Sequence, residues 1–131
     1  MGTDIEIFLE YKSPTTDEWT VFGYGYNIPR NYEMFSKMAG VRSDKYDALY
    51  VAKGLPSDLS EYVKEKYANV SIYEDMSHNP SWLSKNEFAY CVDKYSQSKQ
   101  AEILEYKVLL ASMVSFEELM CETRIVFWFI L

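Results

Sequence analysis

The chain has 131 residues, 48% of them hydrophobic and 17% aromatic. That is material for one packed domain spanning 1–131, and it excludes disorder along most of the length. A formal net charge of −7 sets the average field against phosphate backbones and excludes a general DNA or RNA binder, although two or three arginines gathered locally can still hold a small anion.

The opening MGTDIEIFLEYK lacks the basic region and apolar run of a signal peptide, being interrupted by Asp4, Glu6 and Glu10. The longest apolar run, Ile125 to Leu131, falls far short of the ~20 residues that span a bilayer. A cytoplasmic protein with no membrane partner is expected.

Ile5, Ile7, Leu9 and Tyr11 alternate with Glu6, Phe8 and Glu10, the period of a half-buried strand. After turn residues from Lys12 to Glu18, Trp19 to Tyr24 favours β structure again, so the two predict a hairpin. Gly23 and Gly25, interleaved with Tyr24 and Tyr26, predict that the second strand ends in a bulge or close backbone approach.

Asn31 is the expected N-cap of a first helix, with Met34, Phe35 and Met38 as its apolar stripe and Gly40 as its C-cap. Asp58 with Glu61 three residues on predicts a second helix carrying Leu59, Tyr62, Val63 and Tyr67. Ser84 with Glu87 predicts a third through Phe88, Cys91, Val92 and Tyr95, with Trp82-Leu83 as a hydrophobic staple ahead of it. Apolar residues recurring every three or four positions predict a fourth from Lys99 to Met120.

The final stretch, Arg124 to Ile130, is apolar at both parities and predicts a central strand paired with the N-terminal one, one face covered by the long helix. The fold class is therefore α+β: a small, mainly antiparallel sheet from the N-terminal hairpin and the C-terminal strand, packed against three or four helices. Cys91 and Cys121 have no CxxC spacing and are expected to be reduced and unbridged.

The sequence contains no GxxxxGK, GxGxxG, HExxH or GxSxG. With one histidine, a nucleophilic triad must pass through His78, in company with Ser77, Ser81 and Asp75; residues so close in sequence more often form a turn network. Asp4 and Glu6, two apart on a strand, project from one face, where His78 could join them to hold a divalent metal ion. Arg30, Asn31 and Tyr32 stand at a helix start, where free N–H groups and the helix dipole favour an anion, and Arg42 follows the same helix. Tyr24, Tyr26 and Tyr32 flank this arginine pair in sequence and suit a small planar anionic ligand. The alternative is that both arginines pair with the abundant carboxylates.

Five blocks in order, Met1-Gly2-Thr3-Asp4-Ile5-Glu6, Arg30-Asn31-Tyr32 with Ala39-Gly40-Val41-Arg42, Gly54-Leu55-Pro56, Ser77-His78 with Ser81-Trp82-Leu83, and Arg124 to Phe129, resemble a family of small phage and bacterial proteins that usually open MGCDIH. The family has no established activity, so the resemblance implies a phage or prophage context more than a reaction. The chain departs from the pattern at Thr3 for Cys, Glu6 for His and Ile130 for an acidic residue, which removes two ligands of any shared Cys/His metal site.

Set against the resemblance, Gly40, Gly54 and Pro56 read as backbone punctuation. The polar remainder gives the candidate ligand-binding residues Arg30, Asn31, Tyr32, Arg42, His78 and Ser81, and the candidate metal ligands Asp4, Glu6 and His78. Three functions follow in order: a phage-type accessory protein that captures a small nucleotide-like signal or a host protein in a defence pathway; a metal-assisted hydrolase on Asp4, Glu6 and His78; a structural or virion-associated protein. A homo-oligomer is compatible with each.

Overall fold

The computed structural model describes residues 2–73 and 77–131. Strand β1, Asp4–Lys12, pairs antiparallel with β2, Thr20–Tyr26. The second strand runs through its glycines rather than stopping before them. Ile7 pairs with Tyr26 and Leu9 with Phe22, so β2 carries the extra residues of a bulge there, with Gly23 and Gly25 at positive φ. A Cβ on Gly25 would come within 2.9 Å of the Phe8 ring, which explains a glycine at that step.

Helix α1, Tyr32–Ala39, starts and stops as its sequence predicts. Asn31 caps it by accepting from Met34 N–H, and Gly40 closes it at φ 71. Helix α2, Glu61–Tyr73, begins two residues later than a cap at Asp58 would start it, and Asp58 does not cap it. That carboxylate is taken by Arg124 Nη1 at 2.9 Å and Trp19 Nε1 at 3.0 Å. Residues Ser77–Ser84 form strand β3, which the polar sequence did not announce. Its backbone pairs with the C-terminal strand, and a register shift lies between His78 and Ser81.

Ser84 then caps helix α3, Lys85–Lys94, through a complete capping box with Glu87. Leu83 and Phe88 at the two staple positions are both buried in the same core. The fourth predicted helix is divided. A 3₁₀ segment, Gln97–Ile103, with non-helical Lys99, precedes helix α4, Leu104–Glu118.

Strand β4, Glu122–Ile130, is central as predicted, and the sheet order is β2-β1-β4-β3 with every pair antiparallel. The protein is an α+β fold. One sheet face places Ile5, Ile7, Ile125, Phe127 and Phe129 against α1, α3 and α4. The other places Phe8, Val126 and Trp128 against Val63 of α2. Burying a large apolar side chain is worth ~1.5–3 kcal/mol, so the strand apolar at both parities feeds two cores at once.

Among the described residues no helix is long and apolar enough to cross a membrane. Both cysteines are free, and burial pushes the Cys91 thiol up to about 12.

Candidate functional site

The N-terminal end of β1 runs between two arginines that are twelve positions apart in sequence. Arg30 reaches it just before α1, and its Nε donates to Asp4 Oδ1 at 3.0 Å. Its guanidinium lies where a Cβ on Gly2 would fall, so a side chain at that position would make the flexible Arg30 shift. The hydrogen bond and charge of Asp4 raise the Arg30 pKa further. The pair is open to water, with side-chain exposures of 47% and 65%.

Arg42 approaches from the turn after α1. Its Nε and Nη2 donate to Thr3 Oγ1 at 3.2 and 3.0 Å, and its guanidinium carbon stands 4.9 Å from the Tyr32 ring centroid. Tyr32 Oη in turn accepts from Thr3 N–H at 3.1 Å. Arg42 is exposed and non-glycine, yet holds φ 58, a left-handed conformation that costs of order 1–3 kcal/mol and persists where surrounding contacts impose it.

The sequence-predicted residues thus divide. Arg30, Tyr32 and Arg42 meet around Thr3 and Asp4. Asn31 is occupied by the helix cap, and its Nδ2 donates to Tyr95 Oη at 2.9 Å. Asn31 thus takes one N–H group of the helix start, that of Met34, and the two guanidinium groups supply the side-chain positive charge beside it. Tyr24 packs on Tyr62 of α2, ring centroids 5.8 Å apart, and not beside the arginines.

Ser81 is fully buried, and its Oγ accepts from Lys53 N–H at 2.9 Å. With Gly54 N–H donating to Pro80 O at 2.9 Å, that bond fastens the irregular segment before α2 to β3. Ser81 thus serves as a backbone clamp, buried away from the two arginines' exposed surface.

His78 lies further off. Its ring is 6.0 Å from Phe129, which packs on Phe35 at 5.1 Å, which packs on Tyr32 at 5.8 Å. His78 Nδ1 is 2.8 Å from Asn79 Oδ1, and Nε2 is buried with no hydrogen-bond partner among the described residues. Asp75, which any triad or turn network around His78 would involve, lies outside the described residues, as does Met1.

The geometry does not assemble Asp4, Glu6 and His78. The spacing that puts both carboxylates on one face of β1 puts them on the face shared with Phe8 and Trp128, whereas His78 stands in the row of Ile5 and Phe129 on the opposite face. Asp4 is engaged by Arg30, and Glu6 lines a hollow of about 230 Å³ with Lys66 and Tyr24. Among the described residues no three His, Cys, Asp or Glu side chains are grouped to hold a metal ion.

Sequence reading missed two contacts of the site, Gly2 and Thr3. Their signal was only their place in the opening block, where Thr3 stood as a departure from the family pattern. Comparison of the chain with protein-family models, with curated proteins and with solved structures returns no match.

Proposed function

We propose that the protein is a non-enzymatic binding module of phage accessory type that captures a small planar anion of the nucleotide-like kind beside Arg30, Tyr32 and Arg42. The observation that carries this reading is the convergence of two exposed guanidinium groups on one short strand segment, in a chain of net charge −7. Guanidinium forks match phosphate and carboxylate oxygens in pairs. The strained backbone of Arg42, held over the Tyr32 ring, supports a role beyond packing. Asp4 competes for Arg30 from within the chain, so an incoming anion must draw that guanidinium away from it.

Calorimetric titration with adenosine 5′-monophosphate and with inorganic phosphate tests the reading. Saturable binding by the native chain is expected, weakened by about 100-fold or more in Arg30→Ala/Arg42→Ala, since hydrogen bonds to charged groups are each worth roughly 1.5–3 kcal/mol. Asp4→Asn is expected to bind more tightly. Equal affinities for the native chain and the double variant, or no binding by either, would overturn it.

A further inference from the structure

Helix α4 is apolar on two sides. Its inner side buries Tyr106, Leu109 and Met113, and its outer side leaves Leu104 62%, Val108 58% and Leu119 just past the helix end 72% exposed. Between these lie Ala111, Ser112 and Ser115, so the outer stripe recurs every three or four residues along the whole helix. A second, exposed apolar stripe on a helix marks a face that a partner can cover.

Two hollows run along the same stripe, where α4 borders the edge strand β2. One, of about 240 Å³, is lined by Tyr26, Ile28, Leu104 and Val108; the other, of about 210 Å³, by Phe22, Ser112, Ser115, Phe116 and Leu119. Among the described residues, Glu105 is the single charged one lining either. The opposite sheet edge differs, because β3 is tied at Ser81 and Pro80 to Lys53 and Gly54.

We infer that this face docks a second copy of the chain, α4 against α4 and antiparallel, about a twofold axis between Ala111 and Ser112. About that midpoint Leu104 of one copy comes opposite Leu119 of the other, and Val108 opposite Ser115. Antiparallel pairing therefore covers the exposed Leu104 and Leu119 with each other and sets Val108 over the Ser112–Ser115 hollow of the other copy, an isologous contact. The small side chains at the midpoint let the helix backbones approach.

Charge agrees with the same direction. Lys107 and Glu118 lie on one flank of the stripe at opposite ends, and in antiparallel helices like flanks meet. Each Lys107 thus faces Glu118 of the other copy, giving two ion pairs at the rim.

Sedimentation velocity of the full chain over a concentration series up to ~1 mM, the weak end of the affinity range, tests the inference. The mass is expected to rise from 15.4 kDa towards twice that value. Val108→Asp, at a position outside the core, is expected to stay monomeric throughout with an unchanged circular dichroism spectrum. Lys107→Glu should weaken the dimer roughly tenfold, and Lys107→Glu/Glu118→Lys should restore it. A native chain that stays monomeric over the whole series, a Val108→Asp dimer, or a charge exchange that fails to restore association would overturn the proposal. None of these variants touches Arg30, Tyr32 or Arg42, so anion binding is scored separately on the same preparations.

Discussion

Glu10 and Arg124 face each other across the two central strands, and both are buried. Arg124 Nε donates to Glu10 Oε1 at 2.7 Å, Ser60 N–H donates to Glu10 Oε2 at 2.8 Å, and the Arg124 guanidinium stacks 3.9 Å from the Trp19 ring centroid. The hydrogen bond from Arg124 holds the Asp58 carboxyl below the ordinary aspartate range. The part of stability that Asp58 supplies is therefore present above the ordinary aspartate pKa and lost as pH falls through its lowered one. Arg124→Met leaves a fully buried carboxylate without its counter-charge and is expected to cost about 3–5 kcal/mol in urea unfolding. Adding Glu10→Gln removes the stranded charge, keeps an acceptor for Ser60, and should recover most of the loss. A single variant that costs under about 1 kcal/mol would show that the charge is relieved by another route. Little in the sequence marked this network, since Glu10 sat in the strand as an ordinary outward-facing residue. The register sets it opposite Arg124, and the segment before α2, with Ser60, covers that face and buries it.

At the scale of elements, legibility followed local signals. The caps at Asn31, Gly40 and Ser84 act through backbone groups within a few residues, so α1 and α3 could be read from spacing alone. Strand β3 could not, because Ser77, His78, Asn79 and Pro80 have poor strand propensity, and their pairing comes from β4, more than forty positions later. Ser84 joins the two cases, as it ends β3 and caps α3. Its partner Glu87 also meets Lys53 Nζ at 2.6 Å, and Lys53 lies 3.9 Å from the Trp82 ring centroid. Burial pushes the Glu87 carboxyl up, but Lys53 and Ser84 together outweigh it and hold the group below its ordinary range. Ser84→Ala is expected to cost about 1 kcal/mol, with Ser84→Thr close to native, in thermal unfolding. Equal melting of all three would mean that the cap adds nothing to the strand pairing already there.

Across the whole molecule the two chain ends meet at the sheet centre, and this places the N-terminal segment where both Arg30 and Arg42 can reach it. The arginine pair was legible as two cations near one helix. The failure of the Asp4, Glu6 and His78 grouping was not, because strand pairing decides which face His78 shares. The protein contains only three arginines, so the side-chain Nε–Hε signals in a nitrogen–proton correlation spectrum report on each separately. Arg124, with its side chain 7% exposed and bonded to Glu10 and Asp58, serves as an internal reference. Titration with adenosine 5′-monophosphate should move the Arg30 and Arg42 signals along one binding curve while Arg124 stays in place. Saturation of the protein with Arg30 and Arg42 unmoved would contradict the account.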